Sequence, residues 1–404
     1  MSIIYIYWDE SHFWGLMARR ALLSWGVEHR LVRGNEIAHG LLADNPPALL
    51  LVPGGWARGK AERLGPEGVE AVRAYVAGGG AYLGFCGGAG LALTGGGLGL
   101  CPWSRRGFKD RMQHFLSGHV QVRPDQESPL VPQELRERAL LPVWWPGRFE
   151  PNGGDVRVLA SYGEPGPDFW VADLALKSLP KGTLGDWEAL YGVRIRPAFR
   201  DQPSMVEGRH GQGRYVLSYA HLETPASPDA NRWLAHLLRE LGGLDAPSSP
   251  LPAWDLAALP VLRSDPHLQT AREQLFRLVQ TGVDNLLLFW RTPWLLGWRR
   301  GLPGAALNSL LCMVCEALAT ADTEAAHAWW RSAGPEFSQG MEIFAQGVTG
   351  YLLAERLAMT VYSSSPEALP GLREQREALF GTPPAGGGLH GQLQSLLEEL
   401  LWRL

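Results

Sequence analysis

The sequence predicts an α/β fold with a doubly wound, mostly parallel sheet for the first part of the chain and an all-α helical domain for the rest. Three observations predict it. Short, nearly continuous apolar runs alternate with helical patterns through the first hundred or so residues, the rhythm of a parallel sheet covered on both faces. The Gly/Pro/Ser-rich stretch Gly242-Gly-Leu-Asp-Ala-Pro-Ser-Ser-Pro-Leu-Pro252 then interrupts the chain. Beyond it leucines recur at helical spacing.

Taken in order, Ile3–Tyr7 reads as a buried strand, His12–Trp25 as a helix, Glu28–Val32 as a second strand and Leu49–Val52 as a third. Pro66 opens a helix at its first turn, which runs to about Val76 and is stopped by Gly78-Gly-Gly80. Ala81–Phe85 is the next strand. From about residue 140 the pattern changes to short β segments: Pro142–Trp145, Val156–Tyr162, Tyr191–Arg196 and Arg214–Ala220. Asn231–Leu241 reads as a closing helix. The implied division is a domain over 1–241, a linker over 242–262 and a helical bundle over 263–404.

In the last part Asp265 is an N-cap followed by Pro266 at the first helical position. Leu268, Ala271, Leu275 and Leu278 share one face. Asp322–Ala333, Phe337–Tyr362 and Leu389–Leu404 continue the pattern, giving five or six helices. Leu389, Leu393, Leu396, Leu397, Leu400, Leu401 and Leu404 form an apolar stripe, the pattern of a bundle core. The Trp- and Leu-rich run Leu286–Trp298 is too short to span a bilayer, which needs about 20 apolar residues. It reads as a core helix broken at Pro293, with a membrane interface or a docked partner as the alternative.

Composition narrows the function classes. Hydrophobic residues make up 46% and charged residues 19%, which favours large cores over disorder. With 37 basic and 41 acidic residues the net charge is −4, too small for nucleic-acid binding or attraction to acidic membranes. No basic segment precedes Ile3, so neither a signal peptide nor a transmembrane segment is read, and the expected location is cytoplasmic. Four cysteines without framework spacing point to a reducing compartment. Cys312-x-x-Cys315 has no second pair and sits in an apolar helical stretch, where core packing outweighs a zinc or redox site. No cofactor and no metal are expected.

The chemistry concentrates at Cys86. In Ala81-Tyr-Leu-Gly-Phe-Cys-Gly-Gly-Ala-Gly90 a buried strand runs into a helix with small residues on both sides of a cysteine. This is the layout of a nucleophile elbow, because only small neighbours fit so sharp a turn. A helix N-terminus favours the thiolate and offers backbone N–H groups to an oxyanion. The plainer reading is a buried structural cysteine. Far downstream, in Gly211-Gln-Gly-Arg-Tyr-Val-Leu-Ser-Tyr-Ala-His-Leu-Glu223, a strand ends just before His221 and Glu223. A thiol needs a base, and the base needs a group that fixes its tautomer, so Cys86, His221 and Glu223 form a candidate triad. A His-x-Glu pair at a strand end is otherwise ordinary surface polarity.

These residues resemble a family. Residues 1 to about 240 look like the flavodoxin-like fold of the class I glutamine amidotransferases, most nearly the amidotransferase-like domain at the N-terminus of some biotin–protein ligases. Leu49-Leu-Leu-Val-Pro-Gly-Gly55, the run Val76–Gly90 and the Gly211–Glu223 block carry the resemblance, in the family's order and spacing. It implies Cys86 as nucleophile, His221 as base and Glu223 as orienter. It also implies oxyanion N–H groups from Gly54 or Gly55 and from Gly87, where many amidotransferases carry other small residues. The implied reaction is hydrolysis of a small amide or acyl substrate, such as glutamine. Amidotransferases usually deliver ammonia to a synthetase. Here either the synthetase is a separate chain, or the triad serves a different hydrolysis, or it is a relic. The helical domain is assigned interaction with a protein partner or lid duty. The last 160 or so residues lie outside the resemblance.

Two stretches mimic other sites. Gly54-Gly-Trp-Ala-Arg-Gly-Lys60 has the spacing of a phosphate loop, but Ala61 lacks the hydroxyl that would hold magnesium. It reads as the oxyanion turn followed by a surface basic loop. Gly208–Arg214 is Gly/Arg-rich like the biotinyl-adenylate loop of biotin ligases, but is more simply a hairpin turn, and no ligase activity is expected. Two function classes therefore remain: a cysteine-dependent amidohydrolase or amidotransferase, and a non-catalytic small-molecule-binding or protein-interaction module on the same fold.

Overall fold

A computed structural model describes residues 3–107, 111–362, 369–382 and 386–404. These form two compact units, Met1–Ala253 and Trp254–Leu404.

The first unit is built on an 11-stranded mixed sheet. One half is parallel, in the spatial order His29–Val32, Ile4–Tyr7, Leu49–Val52, Ala81–Phe85, Gly213–Ser218. The strands Ile4–Tyr7, Leu49–Val52 and Ala81–Phe85 are buried at every position, so both faces are covered and their sequences are apolar without alternation. The other half is antiparallel. Pro203–His210 pairs with Gly213–Ser218 through a hairpin at Gly211-Gln212, and Val156–Pro165 and Leu116–Pro124 follow. Ala139–Trp144 and Trp170–Val171 both pair with Leu116–Pro124. The parallel half thus carries the expected α/β pattern, and the later β segments extend it as an antiparallel wing.

Three expectations in this unit need correction. The helix that Pro66 opens is the second half of a longer element, Ala57–Ala77, bent at Gly65 (φ 63°, ψ 177°). The residue before a proline is pushed out of the helical region, and glycine takes that conformation easily. Consequently Lys60 does not lie on a surface loop but in a buried helical turn. Its Nζ donates to the Asp9 carbonyl at 2.9 Å and to Ser11 Oγ, while the Tyr7 hydroxyl donates to the Lys60 carbonyl at 2.9 Å. A lysine can be buried where each donor finds an oxygen. Finally, Tyr191–Arg196 is not a strand. Tyr191 ends a helix, Thr183–Tyr191, which Gly192 closes in the left-handed conformation at φ 67°.

In the second unit the described helices are Pro266–Asp284, Gly304–Ala319, Glu324–Val361, Leu372–Phe380 and Gly388–Arg403. Asp265 accepts from Leu268 N at 2.9 Å, as an N-cap should. The two expected helices over 322–362 are one, running through Pro335. The run Leu286–Trp298 is a β-hairpin instead of a broken helix. Strands Leu288–Thr292 and Leu295–Trp298 pair antiparallel around Pro293-Trp294. Phe, Trp and Thr side chains suit a pleated ladder, and Gly297 admits the Phe289 ring, which would lie 2.1 Å from any Cβ there. Cys312 and Cys315 are buried in the helix Gly304–Ala319, and among the described residues no group of side chains is arranged to hold a metal ion. No helix among the described residues is long and apolar enough to cross a membrane.

Candidate functional site

Three neighbouring parallel strands, Leu49–Val52, Ala81–Phe85 and Gly213–Ser218, end side by side, and the segments leaving their carboxyl ends carry the candidate residues. Cys86 joins the middle strand to the helix Gly87–Ala92 with φ 46° and ψ −100°, a conformation L residues seldom adopt. Two hydrogen bonds hold it there: Cys86 N donates to Ser218 O at 2.7 Å, and Gly90 N donates to Cys86 O at 2.9 Å. Cys86 is partly exposed as a residue, whereas Cys101, Cys312 and Cys315 are buried.

The glycines explain how tightly the loops meet. A Cβ on Gly87 would fall 2.1 Å from the Gly55 carbonyl oxygen, so the elbow and the Pro-Gly-Gly turn pack backbone to backbone. Gly55 has φ 113°, and a Cβ there would sit 1.9 Å from the Glu10 carbonyl oxygen. Gly54 lies under the His221 ring, whose Cε1 would be 2.8 Å from a Cβ. Gly54, Gly55, Gly87 and His221 are therefore one cluster.

His221 and Glu223 are both completely buried, and His221 Nδ1 donates to Glu223 Oε1 at 2.7 Å. Burial alone pulls the imidazole pKa down. The Glu223 carboxylate and the Cys86 thiol outweigh it, and the group is pushed up to about 10. Cys86 thus lies near enough to act on the ring, although no hydrogen bond closes from His221 Nε2, and Glu223 Oε2 also lacks a hydrogen-bond partner. Trp14 stacks on His221 with centroids 4.3 Å apart, and Trp145 meets Trp14 edge-on at 5.8 Å.

A buried scaffold fixes the loop that carries the pair. His221 N donates to Pro142 O at 2.9 Å. Asn231 Nδ2 donates to the carbonyls on either side of Glu223, Leu222 O at 3.0 Å and Thr224 O at 2.9 Å. Its Oδ1 accepts from Leu251 N at 2.9 Å and from Ser227 N at 3.3 Å. Trp144 Nε1 donates to Thr224 Oγ1 at 3.1 Å.

Sequence reasoning singles out the Cys, His, Glu and glycine positions, which the fold brings into one region, but not Trp14, which packs on His221, or Asn231, which braces the loop around Glu223. Trp14 and Asn231 look like ordinary members of amphipathic helices, and Tyr219 like one more strand residue. The described residues around Cys86 thus offer a thiol, an imidazole hydrogen-bonded to a carboxylate, and a closely packed glycine cluster.

Residues 41–94 match the family model "Biotin-protein ligase, N terminal". That segment contains Gly54, Gly55, Cys86 and Gly87 and excludes His221 and Glu223. Among solved structures, a glutamine amidotransferase is 19% identical, with 60% of this chain and 99% of that one covered and a TM-score of 0.38. PurLQS from Thermotoga maritima is 15% identical over 59% of this chain and 99% of its own, with a TM-score of 0.37. A β-galactosidase from Rahnella sp. R3 is 14% identical over 62% of this chain and 33% of its own, with a TM-score of 0.33. No curated protein matches. Over residues 41–94 the chain is accordingly similar to the N-terminal segment of biotin–protein ligases.

Proposed function

We propose that the first unit is a cysteine-dependent amidohydrolase of the amidotransferase type, with Cys86 as nucleophile, His221 as general base and acid, and Glu223 as its orienter. One observation carries this reading: the completely buried His221–Glu223 pair, 2.7 Å apart, packs against the glycine turn that meets the strained Cys86 elbow backbone to backbone. A buried imidazole that keeps its proton is the counter-ion a thiolate requires.

In the reaction, Cys86 Sγ attacks the carbonyl carbon of a small carboxamide. The S–C bond forms and the carbonyl π pair moves to oxygen, where N–H groups of Gly54 or Gly55 and of Gly87 meet the charge. Collapse expels the amine with a proton from His221, leaving a thioester. His221 then takes a proton from water, which hydrolyses the thioester and regenerates the thiol. Glutamine is the substrate that the family resemblance favours, and ammonia is then the product for a separate synthetase. The helical unit would dock that partner.

Limiting iodoacetamide at neutral pH tests the reading, with each cysteine followed by mass spectrometry. Cys86 should be alkylated at least about tenfold faster than Cys101, Cys312 or Cys315. Burial pushes the Cys101 thiol pKa up and that of Cys315 to about 12, which slows them further. An inert Cys86 would instead favour a non-catalytic binding module.

A further inference from the structure

We infer that the Tyr219 hydroxyl donates a hydrogen bond to an oxygen of the ligand held at Cys86, and so selects substrates with a carboxamide or acyl oxygen. The inference rests on the thiol reading above and extends it to a residue that lies within the Gly211–Glu223 block but outside the triad.

The position follows from strand register. Ser218 pairs with Phe85, and Cys86 N donates to Ser218 O at 2.7 Å, so Tyr219 flanks Cys86 on the neighbouring strand. Leu49–Val52, which leads to Gly54, adjoins the Cys86 strand on its other side. The backbone at Cys86 therefore lies between the segment that carries Gly54 and the segment that carries Tyr219.

The phenol is fixed and buried. Its ring lies 4.5 Å from that of Phe149, and its backbone N donates to Ser204 O at 2.9 Å. Gly147 is packed beneath it, where a Cβ would be 2.4 Å from Tyr219 Cε1. Only 2% of the residue is exposed, yet its hydroxyl has no hydrogen-bond partner. Other buried tyrosines in this unit do have one. Tyr162 donates to Gly147 O at 3.0 Å, Tyr82 to Gly88 O at 2.7 Å and Tyr7 to Lys60 O at 2.9 Å. An orphaned buried hydroxyl is destabilising, and a phenylalanine would fill the same space without that cost. The orphan is explained if a ligand oxygen completes it. Burial pushes the phenol pKa up, against the pull of Arg105, so the group remains an O–H donor.

Tyr219 keeps its proton throughout. When Sγ attacks a carboxamide, the carbonyl pair moves to oxygen and the Tyr219 O–H bonds to it. When Sγ displaces iodide from an alkyl iodide, the C–I pair leaves as iodide.

Two alkylating reagents test this on the full chain: iodoacetamide, which carries a carboxamide oxygen, and iodoethane, which has none. Each rate at Cys86 is compared between the wild type and Tyr219→Phe. The iodoacetamide rate should fall about fivefold, the size of one hydrogen bond. The iodoethane rate should stay within about twofold, and the thermal midpoint should hold or rise. Equal falls for both reagents would make Tyr219 a modulator of the thiol and overturn the inference. So would unchanged rates, or a lowered midpoint, which would mean that the hydroxyl already has a structural partner. A wild-type Cys86 inert to both reagents would remove the thiol reading itself and this inference with it.

Discussion

At the scale of single residues, the proposed site depends on one buried partner: Glu223 accepts from His221 Nδ1, and Nε2 has no hydrogen-bond partner among the described residues. Glu223→Gln keeps the shape but removes the charge that raises the imidazole pKa. We expect the chain to fold and the Cys86 alkylation rate to fall about a hundredfold. A rate within about twofold of wild type would reduce Glu223 to a structural residue. Cys86 and His221 are legible in the sequence because the turn glycines, the strand end and the His-x-Glu spacing are local patterns. Trp14, Trp145 and Tyr219 are not, because their placement near His221 and Cys86 arises only when distant segments come together. An aromatic residue at such a position looks the same as a core aromatic.

At the scale of elements, the loop from Leu222 to Thr224 depends on the helix Pro228–Gly242 behind it. Asn231, buried near the start of that helix, uses both amide hydrogens and its oxygen on backbone groups. Asn231→Ala would orphan the carbonyls on either side of Glu223 and the N–H of Leu251. We expect a loss of about 3 kcal/mol, read from urea unfolding, together with slower Cys86 alkylation. Stability lost with alkylation unchanged would separate the scaffold from the site. The short strands are readable because full burial makes them continuous apolar runs, as in Leu49–Val52. The hairpin at Leu288–Trp298 is not, because an apolar run interrupted by proline has the same composition whether its halves are helical or paired. Lys60 misleads for a related reason. A lysine reads as solvent-facing until a loop supplies buried oxygens for its ammonium.

At the scale of the whole molecule, the buried imidazole ties stability to pH. In the folded chain His221 holds its proton up to about 10, against an ordinary value of 6.5. The folded state therefore retains a proton that the unfolded chain has released across that interval. The stabilisation is complete below about pH 6.5 and is lost as the pH rises through about 10. The difference in thermal midpoint between the wild type and His221→Gln should shrink steadily over this window. A difference that stays flat would mean that His221 is neutral in the native state. The division at Ala253 and Trp254 puts this whole effect in the first unit, since Cys86, His221 and Glu223 all precede it.

The backbone at Cys86, with φ 46° and ψ −100°, also bears on how the sequence would drift. A side chain in such a sparsely populated conformation costs roughly 1–3 kcal/mol, and glycine largely escapes that cost. Cys86→Gly should therefore be the more stable of the two truncations when set against Cys86→Ala. If the thiol had no task, neutral change would tend to run downhill toward glycine at this one position. A cysteine there is a standing expense that genetic drift alone would be expected to erase.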